Sequence, residues 1–590
     1  LEQAPQQPTE TAQATEAPAP HGPVPWILSA KTAEALPHQA QRLLDHVTEH
    51  PDLHPADIAY SLATARTAFE HHAAAVGTTR DDLVAQLRAL VHDPSTAAVR
   101  TGPPTERVAF LFTGQGAQHA GMGRQLHATY PTYRAAFDEV CATLDRHLEA
   151  ETPLRDVVFA DDPALLAKTR WTQPALFALQ TALTRLLADD FGVTPTHVIG
   201  HSIGEIAAAH TAGILSLDDA CRLVAARGTL MQALPAGGAM VAVEATEDEV
   251  TPHLTEGVGV AAINGPRALV LSGDEADVTA IAEVFRDQGR RTRRLTVSHA
   301  FHSPLMEPML DDFWLTAQML TYRAPRVPLV STVTGEPLGS DVADATYWTD
   351  HIRATTRFHD GLTTLQGLGV TTFLEIGPDA VLTALARQAL PRATAVPLLR
   401  PGHDEPNGLV KGLAQVHACG VPVDWAGFLG GSGARGVALP TYAFQRRRYW
   451  LEAPEPAGSA AGLGLESASH PLLATATELP DGSRLFTGRV ALASHAWLGD
   501  HIVMGTVVLP GTAFVELAFH AARTVGSEEI AELVLNAPVT FGSQGAALLQ
   551  VIVGPDEPTG RALTIRSRSE GDHSWTENAT GTLSTLATVP

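Results

Sequence analysis

The five-residue stretch Gly200–Gly204 reads Gly-His-Ser-Ile-Gly, and it constrains the fold more than any other part of the chain. An apolar run, His197–Ile199, precedes it, and an alanine-rich helical pattern over Glu205–Ala212 follows it. A strand, a Gly-x-Ser-x-Gly turn and a helix in this order are typical of a nucleophile elbow, where the serine projects from a sharp turn at a helix N-terminus. The simpler interpretation is a glycine-rich turn with an ordinary serine. The flanking strand and helix favour Ser202 as a nucleophile.

Composition excludes several other classes of protein. The chain has 590 residues and should hold several domains, because single cores stop growing at about 250–300 residues. Its formal net charge of -24 argues against nucleic-acid binding. No apolar run reaches the ~18 residues of a membrane span, and the N-terminus lacks a signal-peptide pattern, so we expect a soluble, cytoplasmic protein. The three cysteines lie far apart and predict neither a disulfide framework nor a metal site.

Two segments have the composition of linkers. Leu1–Pro25 is rich in Pro, Gln, Ala and Thr and is expected to be disordered, and Glu452–Ser469 is rich in Pro, Gly, Ala and Ser. Just before the second linker, Arg446–Arg448 lies between aromatic residues, a pattern that by itself suggests nucleic-acid binding. The acidity of the rest of the chain favours a packed surface segment instead.

The strand and helix patterns predict an α/β domain with an inserted subdomain. Arg107–Phe112 has a buried-strand pattern and runs into a glycine-rich loop, Thr113–Gln118. Gly237–Val297 contains short strand-like runs around a helix, which suggests a ferredoxin-like subdomain. Val370–Ile376 then resumes the buried-strand pattern. A cleft between two such subdomains is a common place for a substrate site.

A serine nucleophile needs a general base, and the candidate is His302. It ends the run His299–His302 in the loop that returns from the inserted subdomain, although two surface histidines would be the simpler interpretation. An imidazole beside Ser202 would take its proton on attack and return it to the leaving group. The backbone N–H of Ile203 and the glycine-rich loop at Gln115 are candidate donors to the oxyanion of the tetrahedral intermediate.

A charged residue in an apolar stretch is the next candidate. Arg227 lies within Cys221–Met231, and a guanidinium in such surroundings usually has a carboxylate partner. One interpretation is that Arg227 binds the free carboxylate of a dicarboxylic acyl group through two hydrogen bonds. The other is a structural salt bridge, which the residues alone favour.

Together and in this order, these motifs resemble the acyltransferase domain of a modular type I polyketide synthase. The resemblance covers about residues 105–400. Residues 25–30 and 59–64 resemble the linker between a ketosynthase and an acyltransferase, and Tyr442–Trp450 resembles the linker that follows the acyltransferase and packs back on the first one. The motifs that carry the resemblance are Gly114–Gln118, Gly200–Glu205, Arg227 and His299–His302.

The resemblance implies a role for each of these residues. Ser202 would be the acylated nucleophile and His302 the base. A backbone carbonyl in the region of His351 would orient the imidazole, because no acidic third residue is evident. Gln115 and Ile203 would supply the oxyanion hole. The residues expected to contact the substrate are Arg227, which would hold its carboxylate, Asn264, His299 and Phe301.

Three positions favour malonyl over methylmalonyl as the acyl group. The run ending at His302 reads His-Ala-Phe-His, where methylmalonyl enzymes usually show Tyr-Ala-Ser-His. Ile203 stands where those enzymes often have Gln. The sequence of Thr172–Phe177 also resembles that of malonyl-selective enzymes. Phe301 would fill the room that an α-methyl group needs. Because one methyl group is worth only ~1–3 kcal/mol, we expect a preference for malonyl-CoA and not absolute exclusion.

A second pattern, His-x3-Gly-x4-Pro, is formed by His501, Gly505 and Pro510 ahead of an apolar helical pattern. A histidine near Gly and Pro is usually structural, but this pattern resembles the N-terminal half of a polyketide synthase dehydratase, the first half of a double-hotdog fold. His501 would remove the α-proton of a β-hydroxyacyl thioester. In the family, the acid is an Asp on the second hotdog, and the sequence ends at Pro590 before that half. We therefore expect no dehydration by this chain alone, and low stability from about residue 470.

The expected fold class is α/β. An α/β-hydrolase-like large subdomain carries an inserted ferredoxin-like small subdomain, preceded by a small α/β linker domain and followed by one α+β hotdog half-domain. The expected boundaries are 1–25 for the disordered linker, 26–104 for the linker domain, 105–400 for the acyltransferase with its small subdomain at about 237–298, 401–452 for the following linker, 453–469 for the flexible linker and 470–590 for the hotdog.

The leading interpretation is transfer of malonyl from malonyl-CoA through Ser202 to the phosphopantetheine thiol of an acyl carrier protein, with no bound cofactor. Its partners would be that carrier protein, the adjacent ketosynthase and the remaining dehydratase half. The alternatives are a methylmalonyl-selective acyltransferase, a serine esterase of the α/β-hydrolase type and an inactive scaffold fragment. An esterase predicts an Asp before the histidine and no need for Arg227. Intact Ser202, Arg227 and His302 argue against a scaffold.

Overall fold

The computed structural model describes residues 22–93, 107–339, 344–445, 460–541 and 545–584. Most of the predicted N-terminal linker, the basic run Arg446–Arg448 and positions 453–459 of the second linker lie outside the described residues. The chain divides into two compact units, Leu1–Gln445 and Arg446–Pro590, which are described separately. Within the described ranges, no helix combines the length and apolar character needed to cross a bilayer.

A small α/β layer opens the first unit. It consists of β1 (Val24–Ala30), α1 (Ala35–Glu49), α2 (Pro55–Thr64), β2 (His71–Gly77) and α3 (Arg80–His92). The two strands pair antiparallel along their whole length, so the first strand starts just inside the segment expected to be disordered. Trp26 is fully buried and donates from its indole nitrogen to the carbonyl of Pro55 at 2.9 Å. Tyr442 returns to this layer, where its hydroxyl accepts from the amide of Lys31 at 2.9 Å.

The main sheet starts after this layer. Its first part consists of β3 (Val108–Phe112), α4 (Arg124–Thr129), α5 (Pro131–Leu148), α6 (Leu154–Phe159), α7 (Thr169–Phe191), β4 (His197–Gly200), α8 (Gly204–Thr211) and α9 (Leu217–Ala233). Every residue of β3 is buried, as its continuous apolar run predicts for a central parallel strand. Strand β4 pairs parallel with β3, with Gly200 opposite Phe112.

A small subdomain follows α9. It consists of β5 (Ala239–Val243), α10 (Glu247–Val250), β6 (Val258–Gly265), β7 (Ala268–Gly273), α11 (Glu275–Asp287) and β8 (Thr292–Arg294). The strands are antiparallel in the order β6-β7-β5-β8, and Val241, Leu271 and Phe285 belong to a separate apolar core. This order, together with the βαββαβ sequence of elements, confirms the predicted ferredoxin-like insertion.

The chain then returns to the main sheet. This part consists of α12 (Leu310–Ala317), β9 (Leu329–Val330), α13 (Ala345–Arg353), α14 (Phe358–Gly367), β10 (Thr372–Ile376), α15 (Val381–Ala389), β11 (Thr394–Pro397), α16 (Glu405–Ala418) and α17 (Trp425–Gly430). The five strands are parallel in the order β11-β10-β3-β4-β9. Because β3 and β4 are central neighbours, the loops after their carboxyl ends lie side by side. Ligands of open α/β sheets bind at such ends.

The second unit is an antiparallel sheet around one helix. It consists of β12 (Glu466–His470), β13 (Leu473–Glu478), β14 (Arg484–Ala491), β15 (Ile502–Val503), β16 (Thr506–Val507), α18 (Gly511–Thr524), β17 (Glu529–Leu535), β18 (Ala546–Val553), β19 (Arg561–Ser569) and β20 (Thr576–Ser584). Seven strands follow the order β12-β13-β14-β18-β19-β20-β17. Phe514 and Leu517 of α18 share an apolar core with Phe486 and Val551 of the sheet. This arrangement confirms the predicted hotdog half.

Candidate active site

The turn between β4 and α8 carries Ser202. Its backbone has a φ of 52°, in the left-handed region that residues other than glycine rarely adopt. A Cβ atom at Gly204 would lie 2.2 Å from the carbonyl oxygen of Phe112, and one at Gly200 would lie 2.2 Å from the amide nitrogen of Glu205. Both glycines are therefore needed for the close backbone approach that makes the turn sharp.

The hydroxyl of Ser202 meets the imidazole of His302. The Oγ to Nε2 distance is 2.8 Å, and Nδ1 of the same ring lies 2.9 Å from the carbonyl oxygen of Ala354. Burial, and secondarily the charge of Arg227, lowers the pKa of His302 to about 3. The ring is therefore neutral, so its Nδ1–H donates to Ala354 and its Nε2 accepts the hydroxyl proton of Ser202.

The carbonyl of Ala354 is held in place by the small subdomain. Two residues further on, the amide of Thr356 donates to the carbonyl of Ala261 at 2.9 Å, and the carbonyl of Thr356 accepts from the amide of Ile263 at 2.9 Å. Ala354 follows shortly after His351, in the region where the sequence predicted an orienting carbonyl. A backbone oxygen thus occupies the position of the acidic third residue in a Ser-His-Asp triad.

Arg227 of α9 is buried and reaches the same serine. Its Nη1 donates to the side-chain oxygen of Gln173 at 2.6 Å, and its Nη2 donates to Oγ of Ser202 at 3.2 Å. Burial lowers the pKa of Arg227 to about 9, and the charge of Glu205 opposes this shift. Within the described ranges Arg227 forms no ion pair, so the structural salt bridge that the residues alone favoured is not present there.

The two predicted oxyanion donors lie on the neighbouring loops after β3 and β4. Gln115 follows β3, and Ile203 stands between Ser202 and the start of α8. In the part of the chain that the structure describes, we find no acceptor for the backbone N–H of either residue. The side-chain oxygen of Gln115 accepts from the hydroxyl of Thr169 at 2.9 Å.

Of the other residues predicted to contact the substrate, only some lie next to Ser202 and His302. Asn264 reaches the elbow, with its Oδ1 3.0 Å from Nε2 of His201. Phe301 is buried directly before the base. His299 is engaged elsewhere, because its ring nitrogens lie 3.0 Å from the hydroxyl of Ser298 and 3.2 Å from the carbonyl of Leu234. Its ring fastens the returning loop to the end of α9.

Sequence reasoning missed a buried carboxylate beneath the elbow. Glu205 is fully buried and accepts hydrogen bonds from the hydroxyls of Tyr347 and Thr332 and, at 3.0 Å, from the amide of Thr332. Nε2 of His351 lies 3.7 Å from its Oε2. Burial raises the pKa of Glu205 to about 7, against the effect of these bonds and of Arg227. Its signal was a charged residue inside an otherwise apolar helical pattern.

The predicted dehydratase residues lie together in the second unit. Nδ1 of His501 is 2.9 Å from the carbonyl oxygen of Val508. Met504 and Gly505, with φ values of 49° and 80°, form the turn of the β15–β16 hairpin, and Pro510 directly precedes α18. The hairpin therefore fixes the histidine beside the start of the helix.

Known protein families match residues in both units of the chain. The family described as acyl transferase domain matches residues 109–423, that described as polyketide synthase dehydratase domain matches 470–568, and that described as CurL-like, PKS C-terminal matches 26–87. The fold and site thus define an acyltransferase. The chain belongs to the acyl transferase domain family as it occurs in modular polyketide synthases, and it also carries the N-terminal part of a dehydratase domain.

Solved structures of acyltransferase domains resemble the first unit. The acyltransferase domain from the second module of the salinomycin polyketide synthase is 50% identical, with a TM-score of 0.60, and the match covers 71% of this chain and 99% of that one. The acyl transferase domain of SpnD, in complex with 2-(pent-4-yn-1-yl)malonyl, is 32% identical, with a TM-score of 0.62 and coverage of 70% and 98%.

Curated relatives are much longer than this chain. Polyketide synthase GfsA of Streptomyces halstedii is 48% identical over 96% of this chain and 8% of its own length. The phenolphthiocerol synthesis polyketide synthase type I Pks15/1 of Mycobacterium marinum is 49% identical over 95% of this chain and 27% of its own length. The chain therefore spans between 8% and 27% of these two relatives.

Proposed function

We propose that the first unit transfers a malonyl group from malonyl-CoA to the phosphopantetheine thiol of an acyl carrier protein, through an ester on Ser202. The observation that carries this proposal is the position of the Ser202 hydroxyl, which lies 2.8 Å from Nε2 of His302 and 3.2 Å from Nη2 of Arg227. One hydroxyl thus has a general base on one side and a buried cation on the other.

In the first half-reaction, Oγ of Ser202 attacks the thioester carbonyl while its proton passes to Nε2 of His302. The carbon–sulfur bond then breaks, and His302 returns the proton to the thiolate of coenzyme A. In the second half-reaction, the phosphopantetheine thiol gives its proton to His302 and attacks the ester, and Ser202 regains the proton. The amides of Ile203 and Gln115 are the proposed donors to each tetrahedral oxyanion.

The buried guanidinium of Arg227 supports a dicarboxylic acyl group. Its hydrogen-bond partners in the described ranges are an amide and a hydroxyl, and a buried charge is costly without a directly paired counter-charge. The free carboxylate of a malonyl group supplies that charge and matches the fork of the guanidinium. The similar SpnD domain, which is in complex with a substituted malonyl group, supports the same class of substrate here.

Selectivity for malonyl over methylmalonyl rests on Phe301 and Ile203. Both side chains are buried, and Phe301 directly precedes the base. A phenyl ring there leaves less room beside the acyl carbon than the serine of methylmalonyl enzymes would.

In the second unit we propose His501 as the base of a dehydratase whose acid comes from the other hotdog half. The carrier protein, the ketosynthase and that half are the proposed partners.

The test is a competition between malonyl-CoA and methylmalonyl-CoA, read as intact protein mass after brief incubation. We expect a malonyl adduct on the parent chain and none on Ser202→Ala. A predominant methylmalonyl adduct would retain the acyltransferase and overturn the proposed selectivity. Absence of both adducts on a folded parent would contradict the proposed function and favour the inactive scaffold.

A further inference from the structure

A chain of hydrogen bonds with a fixed direction joins Arg227 to Gln115. Arg227 has only donors, so the atom of Gln173 that faces its Nη1 at 2.6 Å is the amide oxygen. The amide nitrogen of Gln173 then donates to the hydroxyl oxygen of Thr169 at 2.8 Å. The hydroxyl proton of Thr169 is left to donate to the side-chain oxygen of Gln115 at 2.9 Å. We call these four residues the Arg227–Gln115 relay.

The relay lies where the backbones of helices α7 and α9 approach closely. A Cβ atom at Gly228 would lie 3.2 Å from the carbonyl oxygen of Thr169 and 3.3 Å from Cα of Arg170, so the glycine lets the two backbones approach. Thr169 and Gln173 are one turn apart on α7 and share a face. Both are fully buried, and Arg227 is 2% exposed. Hydrogen bonds in such surroundings polarise one another and tolerate little rearrangement.

We infer that Thr169 and Gln173 are positioning residues that couple recognition of the acyl carboxylate at Arg227 to the oxyanion loop at Gln115. This inference rests on the proposed function, because Arg227 and Gln115 have their roles only in acyl transfer. A carboxylate that binds Arg227 shifts the guanidinium and, with it, the side chain of Gln173. The hydrogen bonds of Thr169 to Gln173 and to Gln115 transmit this shift to the loop. A donor acyl group of the right charge thus tightens the loop that stabilises its own oxyanion.

Thr172, another buried threonine on α7, does not belong to the relay. The hydroxyl of Thr172 donates to the carbonyl oxygens of Leu166 at 2.6 Å and Lys168 at 3.2 Å, which are local backbone groups. Thr172 is as buried as Thr169 and lies on the same turn. It therefore offers a matched control, since valine at either position removes one buried hydroxyl and keeps the shape of the side chain.

The experiment compares Thr169→Val with Thr172→Val in the full chain, by the rate of malonyl loading. We expect Thr169→Val to lower kcat about tenfold, as the loss of one buried hydrogen bond predicts, with KM for malonyl-CoA within about twofold of the parent. Gln173→Leu should in addition raise KM, because it also releases Arg227. Thr172→Val should keep both constants within about twofold. Equal effects of the two threonine variants, or a KM increase in Thr169→Val as large as in Gln173→Leu, would overturn the relay.

A second measurement separates this inference from the proposed function. A fluorophosphonate probe modifies an activated serine and uses the oxyanion hole without a malonyl carboxylate. We expect Thr169→Val to react more slowly than Thr172→Val, at similar thermal midpoints. If the probe modifies Ser202 while malonyl-CoA does not, the proposed substrate fails and the comparison of probe rates still decides the relay. The relay requires that the bond from Thr169 to Gln115 positions the oxyanion loop even without a carboxylate at Arg227, so equal rates of the two variants with the probe would overturn it whatever the substrate.

Discussion

Nε2 of His302 lies 2.8 Å from Oγ of Ser202, although the two residues are 100 positions apart in the chain. The serine follows a strand of the parallel sheet, and the histidine lies on the return from the inserted subdomain. Both have a positive φ, 52° and 55°, a conformation that costs a side-chain-bearing residue roughly 1–3 kcal/mol. The surrounding structure therefore imposes the two conformations that bring the side chains together.

The neutral state of His302 predicts the pH dependence of loading. Burial holds its pKa at about 3, so the imidazole accepts the serine proton throughout the range above about pH 5. We expect the rate of acyl-enzyme formation in Glu205→Gln, which removes the buried carboxyl group with a pKa of about 7 beneath the elbow, to be nearly flat from about pH 5 to about pH 8. Rates from quenched intact mass test this, with His302→Ala expected to lose about 10²–10⁴-fold at every pH. A decline with an apparent pKa near the ordinary histidine value would contradict the burial argument.

Replacement of Arg227 should remove the preference for dicarboxylic donors. We expect Arg227→Ala to lower kcat/KM for malonyl-CoA by roughly 10²-fold or more, because two charge-assisted hydrogen bonds to the carboxylate are lost. Loading from acetyl-CoA, which lacks that carboxylate, should change much less. Arg222→Ala, on the same helix and partly exposed, is the matched control. An esterase would instead keep its hydrolysis of simple monoesters in Arg227→Ala and show no preference for malonyl in the parent.

Phe301 offers a direct test of selectivity. Phe301→Ser should shift the ratio of malonyl to methylmalonyl adducts toward methylmalonyl by about tenfold or more, as one methyl group in a pocket is worth ~1–3 kcal/mol. Phe301→Leu removes less volume and should give a smaller shift. The measurement is a mass competition at equal donor concentrations. An unchanged ratio in both variants would place the discrimination at other residues.

Glu205 should make the stability of the first unit depend on pH. Its pKa is raised from 4.5 to about 7 in the folded protein, so its contribution is fully present below pH 4.5 and is lost as the pH rises through about 7. The shift corresponds to about 3 kcal/mol, at about 1.4 kcal/mol for each pKa unit. In Glu205→Gln the side-chain amide replaces the carboxyl group and does not titrate.

Thermal midpoints of parent and Glu205→Gln, measured side by side from pH 5 to pH 8, isolate this contribution. We expect the parent to lose stability relative to the variant as the pH rises. Parallel curves would mean that Glu205 keeps the same charge over the whole range.

The elbow could be predicted because its chemistry requires a local pattern. Gly200 and Gly204 stand where a Cβ would collide with backbone, and the strand and helix around them show in the hydrophobic pattern. The inserted subdomain could also be predicted from a local pattern, because its short strand-like runs differ from the helical patterns that precede them. Arg227 was recognised as a buried cation, but the partner of its Nη1 is an amide, Gln173, where a carboxylate is the usual expectation.

Other parts of the site left no such pattern. The orienting group is the carbonyl of Ala354, and a backbone oxygen has no residue type to reveal it. The partners of Glu205 come from segments more than a hundred residues away, so their pairing with it depends on tertiary packing. Thr169 could not be distinguished from Thr172, because only the direction in which each hydroxyl points separates them.

The inserted subdomain begins and ends at neighbouring points, where Gly237 and His299 form a parallel bridge. Between and just beyond these ends lie Asn264, Phe301 and His302, while Ser202 and Arg227 belong to the parallel sheet and its helices. Recombination that exchanged this one contiguous insert, through His302, would transfer the general base together with Phe301, one of the two residues proposed to read the acyl substituent. Ser202, Arg227 and Ile203 would stay behind, so such an exchange would alter part of the acyl preference while the nucleophile and the proposed carboxylate-binding residue are kept.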